Sequence, residues 1–222
     1  MSAPRAGRGD PRTGGFFYTS VCTLATLLLR ILFRMRVSRS GPIDGPFIAV
    51  ANHESLLDGF VVAAAFRRRR LTFLSASYLY DLALVGPFLR AAGALPVQAQ
   101  GANVSSLRRA IQILESGGAV ALFPEGGIAG NEILGGAVYL ALKARVPILP
   151  LRITGTREAL PPGRRLPTLA RIRVSVGAPL CLPTVSQGGG GTRQAVADGR
   201  ETLRLLLSGP DHGQPAFAQR PA

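Results

Sequence analysis

The sequence predicts an α/β fold, a central sheet flanked by helices. Short apolar runs of strand length alternate with longer segments of helical periodicity from residue 47 onward. The strand runs are continuously apolar, as expected of strands covered on both faces. A chain of 222 residues is also long enough to bury one large core without disulfides or metals.

Each element follows from its residues. Residues 1–15 (MSAPRAGRGDPRTGG) read as a disordered basic tail. FFYTSVCTLATLLL (16–29) is an apolar run that stops at Arg30. It falls short of the ~20 residues needed to cross a bilayer. A signal peptide would need a small-residue cleavage site, and ILFRMRVSR follows instead. Residues 16–36 are therefore expected to form a membrane-associating helix lying in a lipid surface, with Arg30 and Arg34 reaching phosphates. Packing of the same helix on the domain is the alternative.

The domain proper is expected over 37–185. FIAVAN (47–52) is a strand and SLLDGFVVAAAF (55–66) a helix ended by Arg67–Arg70. LTFLS (71–75) is a strand, 78–92 a helix broken at Gly86-Pro87, and ALPV (94–97) a short strand. Residues 103–118 form the clearest helix, with Val104, Leu107, Ile111 and Leu114 in one stripe and Gly117 as the stop. AVALF (119–123) is a buried strand, 134–145 a helix, and PILPLRI (147–153) and RIRVSV (171–176) are strands. SQGGGG (186–191) reads as a linker, 192–208 as a closing amphipathic helix, and 209–222 as a disordered tail.

Composition narrows the function. Charged residues make up 17% and hydrophobic residues 47%, which excludes a disordered chain. The net charge is +14, and Lys143 is the one lysine among 26 basic residues, so the excess is arginine. That excess suits an anionic partner. Nucleic acid is expected to be excluded, because tryptophan is absent and few aromatics accompany the arginines. Cys22 and Cys181 read as reduced core thiols. Two histidines give no zinc-ligand spacing, so no metal is expected. G-x-G-x-x-G does not occur.

Two motifs carry chemistry. In Asn52-His53-Glu54-Ser55-Leu56-Leu57-Asp58, the H-x4-D spacing places the two side chains on different faces of a regular helix. They meet only if His53 sits in the loop and Asp58 in the first helical turn. Ser55-x-x-Asp58 has capping-box spacing, which favours that arrangement. A carboxylate there would orient the imidazole and stabilise its protonated form. Asp58 as a plain capping acid beside a loop histidine is the other reading. In LFPEGGIAG (122–130), a buried strand ends at Pro124 and presents Glu125, and Gly126 and Gly127 allow close backbone approach to a ligand. An ordinary turn with a solvated Glu125 is the alternative there.

Taken together, the motifs resemble the glycerolipid acyltransferase superfamily, in particular its 1-acylglycerol-3-phosphate acyltransferase (lysophosphatidate acyltransferase) branch. The resemblance rests on Asn52–Asp58, Gly93–Val97, Phe123–Gly126 and Val146–Pro150, in that order, and spans roughly residues 25–180. It implies a mixed central sheet and acyl transfer from acyl-CoA or acyl-carrier protein to a lipid hydroxyl, with no other cofactor and no acyl-enzyme. His53 would be the general base and Asp58 its orienter. Asn52, Ser55, Glu125, Gly126, Gly127 and Gln98 would contact substrate. It also implies a peripheral or monotopic enzyme on the cytoplasmic face of the cell membrane.

Two departures stand out. The second block continues Val97-Gln98-Ala99-Gln100 where the family carries a phosphate-binding arginine, and Gly127-Ile128 replaces Thr-Arg after FPEG. Arg108, Arg152 or Arg157 would have to substitute, or the acceptor differs: another lysolipid, a glycolipid, or a specialised-metabolite alcohol or amine. A catalytically weak lipid-binding relative is the alternative, with a basic nucleic-acid binder behind it.

Overall fold

Strand β2 (Phe47–Ala51) is buried along its whole length, which explains its unbroken apolar sequence. Phe47, Ala49 and Ala51 enter one core and Ile48 and Val50 the other. The computed structural model describes residues 16–83, 85–97, 104–128, 133–164, 166–183 and 189–208. The expected tails at 1–15 and 209–222 lie outside the described residues, as does Gln98.

Among these residues the other strands are β1 (Arg36–Arg39), β3 (Leu71–Ala76), β4 (Leu95–Val97), β5 (Ala119–Leu122), β6 (Ile148–Thr154) and β7 (Arg173–Val176). They form one sheet in the order β1-β7-β6-β2-β5-β3-β4. From β6 through β4 all neighbours are parallel, whereas β7 runs antiparallel to β6 and β1 follows β7. The sheet is therefore mixed.

Helices cover both faces. On one side lie α1 (Phe16–Leu32), α2 (Asp58–Ala65) and α3 (Val85–Ala92), burying Cys22, Leu29, Val61, Phe88 and Leu89. On the other lie α4 (Val104–Glu115), α5 (Gly136–Ala144) and α7 (Gly189–Ser208), burying Leu114, Leu140 and Leu203. Each such buried Leu or Phe contributes roughly 1.5–3 kcal/mol. A short α6 (Thr156–Ala159) follows β6, and a 3₁₀ helix (Ser77–Asp81) follows β3.

Several expectations need correcting. The first helix ends at Leu32 and not at 36, because Arg34 takes a left-handed turn (φ 47°) and Arg36–Arg39 then pair with β7. RVSR is a charged edge strand, so no apolar run announced it. The 78–92 segment breaks after Asp81, ahead of Gly86-Pro87; Pro87 lies in the first turn of α3, where its missing N–H costs nothing. The closing helix begins at Gly189, inside the expected linker. Cys22 is buried, but Cys181 is exposed, since it follows Leu180 in an extended segment where successive side chains alternate.

Candidate active site

Strands β2 and β5 are parallel neighbours, so the loops after them emerge side by side at one edge of the sheet. This brings residues 72 positions apart into contact: the His53 backbone N–H donates to Glu125 Oε2 at 3.2 Å. The H-x4-D spacing also closes locally. Residues 52–57 leave the strand as loop and turn, and α2 starts at Asp58.

His53 Nδ1 lies 2.9 Å from Asp58 Oδ2, and the same oxygen accepts the backbone N–H groups of Glu54 (2.7 Å) and Ser55 (2.8 Å). Asp58 is 0% exposed. A carboxylate only accepts, so Nδ1 is the donor in this contact, and in the neutral ring that tautomer leaves the lone pair on Nε2. The acid therefore does two jobs, tying the loop and fixing the tautomer.

The His53 ring stacks on Phe123, with centroids 4.1 Å apart and planes at 15°. It also lines a cavity of about 210 Å³. The remaining wall is mainly apolar and comes from α2, β3, the 3₁₀ helix, α3 and α5, with Phe60, Phe73, Leu79, Val85, Phe88 and Leu140 among its side chains. In the sequence Phe123 is a strand end and the first residue of the FPEG block, with no role of its own assigned. The wall residues belong to helices and strands whose apolar character announced core, and nothing local marked a cavity. Among the described residues, no cluster of three His, Cys, Asp or Glu side chains could hold a metal ion.

The expected substrate contacts divide. Gly126 and Gly127 line the cavity. Gly126 adopts φ +70°, and a Cβ there would lie 2.9 Å from Leu134 Cδ1; Gly127 has open space around it. Asn52, in contrast, clamps the backbone of β6: Nδ2 donates to Ile153 O (2.9 Å) and Oδ1 accepts from Ile153 N–H (2.7 Å). Ser55 is 0% exposed, and its hydroxyl donates to Leu160 O at 2.7 Å. Ser55 is not the N-cap expected of it, since α2 is capped at Leu57 with no side-chain cap bond; its Oγ accepts from Leu57 N–H, and of the expected box only the Asp58 bond to Ser55 N–H forms. Glu125 turns its carboxylate to the His53 backbone and is not part of the wall. Val97, just before Gln98, does line the cavity.

Burial pushes the Glu125 carboxyl above its ordinary value near 4.5, against the lowering effects of the His53 N–H bond and the His53 ring. Burial likewise raises Glu54, helped by Asp58 and Glu158 and opposed by Arg157 and Arg152. A raised carboxyl means that folding favours its protonated form, so the buried charge costs stability once the pH exceeds the folded value. Glu125→Gln retains an oxygen for the His53 N–H and removes that charge. Its melting midpoint is expected to exceed the parent's near neutral pH, and the difference to close as pH falls toward 4.5. A midpoint below the parent's at neutral pH would show that the charge is stabilising.

The Arg67–Arg70 run precedes β3 and so lies at the opposite edge from His53. Arg69 is structural there, donating to Gly45 O at 2.7 Å and covering the Phe47 ring at 5.6 Å, while Arg67 and Arg68 are exposed.

Comparison with known proteins follows the same lines. A family model described as Acyltransferase matches residues 33–154, more than half of the chain. A 1-acyl-sn-glycerol-3-phosphate acyltransferase of Streptococcus pneumoniae is 29% identical over 113 residues, covering 50% of this chain and 43% of that protein. One from Bacillus subtilis is 23% identical over 141 residues, covering 63% and 69%. The chain thus spans less than half the length of the Streptococcus relative. The crystal structure of the 1-acyl-sn-glycerophosphate acyltransferase PlsC from Thermotoga maritima superposes with a TM-score of 0.63 at 25% identity, covering 88% of this chain and 81% of that one. The chain belongs to the acyltransferase family, and the relatives and the solved structure it resembles are 1-acyl-sn-glycerol-3-phosphate acyltransferases.

Proposed function

We propose that this chain transfers a fatty acyl group from acyl-CoA or acyl-carrier protein to a hydroxyl of a lysophospholipid-like acceptor. The observation that carries this reading is the 2.9 Å His53–Asp58 contact on a ring that borders an apolar cavity. The acyl chain occupies that cavity. Unprotonated Nε2 takes the acceptor's hydroxyl proton, and the oxygen attacks the thioester carbonyl directly. The tetrahedral intermediate collapses with cleavage of the C–S bond, and the imidazolium returns its proton to the departing thiolate. Asp58 stabilises the imidazolium in between. The Gly127 N–H, on the cavity wall, is our candidate donor to the developing oxyanion; the Gly126 N–H is directed to Phe123 O.

The working location is a lipid surface on the cytoplasmic side, contacted by α1 through Leu24, Leu27, Leu28 and Ile31, all well exposed. Among the described residues no helix is long and apolar enough to cross a membrane.

Lysophosphatidate is the default acceptor by family, and the altered phosphate positions argue for a broader choice. Gly127-Ile128 supplies no charge, and Arg108, Arg152 and Arg157 are not part of the cavity wall. Charge-assisted contacts are roughly twice as strong as neutral ones, so their loss weakens selection for a phosphate. The test measures free thiol released from an acyl-CoA with a panel of acceptors, with products identified by mass spectrometry. Acceptor-dependent release is expected, with unphosphorylated or headgroup-bearing lysolipids at least matching lysophosphatidate. A strong lysophosphatidate preference would sink the broad-acceptor idea, and no acceptor-dependent release from either donor class would sink the enzyme reading.

A further inference from the structure

The two most exposed large apolar side chains among the described residues are not on α1. They are Leu166 (77%) and Leu169 (81%), in the segment that joins α6 to β7. This segment is tied down, so their exposure does not come from fraying. At its start, Leu160 O accepts from the Ser55 hydroxyl. Midway, Thr168 donates from N to Ala159 O (2.7 Å) and from Oγ1 to Glu158 O (2.7 Å). At its end, Ile172 N–H donates to Phe33 O at 3.0 Å, just past α1. There the backbone crosses Gly155 so closely that a Cβ on Gly155 would lie 2.0 Å from Arg171 O. A pinned loop thus holds two leucines outward on either side of Thr168.

Strand register places this loop. β7 begins at Arg173, opposite Thr154 at the end of β6 and beside Arg36 at the start of β1. Segment 160–172, the C-terminal end of α1 and the His53 loop therefore all emerge at the same edge of the sheet. Other exposed apolar side chains border that edge: Ile31 and Leu32 on α1, Tyr78 after β3 and Leu134 after β5. Charge accompanies them. Arg30, Arg34, Arg36, Arg164 and Arg171 are exposed here, against Glu158 and Asp81. Residues 160–172 contain three arginines and no acid.

We propose that Arg164 and residues 166–172 form a second lipid-contact element. Leu166 and Leu169 enter the headgroup–acyl boundary of an anionic bilayer while Arg164 and Arg171 pair with its phosphates, so that this loop and α1 together turn the His53 edge toward the lipid. Apolar tips flanked by guanidinium groups have the composition of an interfacial contact, and each such cation strengthens binding near an anionic surface. The inference rests on the proposed lipid acceptor, which must reach His53 from this edge.

The test compares the parent chain, Leu166→Ser/Leu169→Ser and Leu27→Ser/Ile31→Ser in co-sedimentation with phosphatidylcholine vesicles, with and without phosphatidylglycerol. The loop variant is expected to lose about tenfold or more in partitioning to anionic vesicles, with an unchanged melting midpoint. Its turnover should fall on a vesicle-borne acceptor and persist on a short-chain, water-soluble one. Unchanged vesicle binding by the loop variant overturns the proposal. A polarity-sensitive probe on Leu169→Cys in a Cys181→Ser background gives a second readout, and a blue shift with vesicles is expected. A shift with acyl-carrier protein or with added unlabelled protein, and none with vesicles, overturns it in favour of a protein partner. Sedimentation and the probe need no turnover, so an inactive chain that still binds through this loop refutes only the acyl-transfer reading.

Discussion

His53→Ala is expected to lower turnover by about 10²–10⁴-fold, the range that a positioned general base contributes. The substitution removes Nε2 and leaves the Asp58 carboxylate holding the Glu54 and Ser55 N–H groups, so the loop keeps two of its three ties to that oxygen. Folding and vesicle partitioning should therefore change little. Thiol release measured with saturating acyl-CoA and acceptor, alongside a thermal melt, separates the two effects. Undiminished turnover would remove His53 from the chemistry, and a collapsed melt would mark the ring as structural.

Asp58 is expected to behave differently, because it ties the loop as well as serving the proposed chemistry. Asp58→Ala strips the acceptor from three donors at once: His53 Nδ1, Glu54 N–H and Ser55 N–H. An unsatisfied buried donor costs about 1–3 kcal/mol, so several kcal/mol of stability are at stake, offset by the charge no longer buried. Asp58→Asn retains an oxygen for the two backbone donors and removes the negative charge that stabilises the imidazolium. Its turnover should fall by roughly 10²-fold or more, with a melting midpoint well above that of Asp58→Ala. Equal melting midpoints for the two variants would show that the backbone contacts contribute little. Full turnover in Asp58→Asn would show that the carboxylate is only a cap.

Much of this site is local, and for that reason legible. The capping chemistry of Ser55-x-x-Asp58 involves residues within five positions, so local spacing favoured His53 in the loop and Asp58 in the first helical turn, although the helix starts at Asp58 and not at Ser55. Strands β2, β5 and β6 were readable because they are buried along most of their length and burial on both faces leaves an apolar run of strand length; β3, buried over its first half, was legible for the same reason. Edge strand β1 was not, because its side chains are largely exposed and its pairing with β7 links residues far apart in sequence.

Site roles show the same division. Asn52, Ser55 and Glu125 stand inside recognisable motifs, yet their partners are Ile153 O and N–H, Leu160 O and the His53 N–H. Those partners lie on other strands and loops, and strand order brings them near. A polar side chain at a strand end bonds whatever backbone group the neighbouring strand presents there. The sequence by itself determined the close spacing of His53 and Asp58, the family and most of the strands, since each follows from side-chain chemistry over a few residues. Only the tertiary structure decided which motif residues brace the loop and which reach the cavity, what forms the apolar wall, and that α1 and segment 160–172 share the His53 edge, because each depends on contacts between segments that sequence distance does not encode.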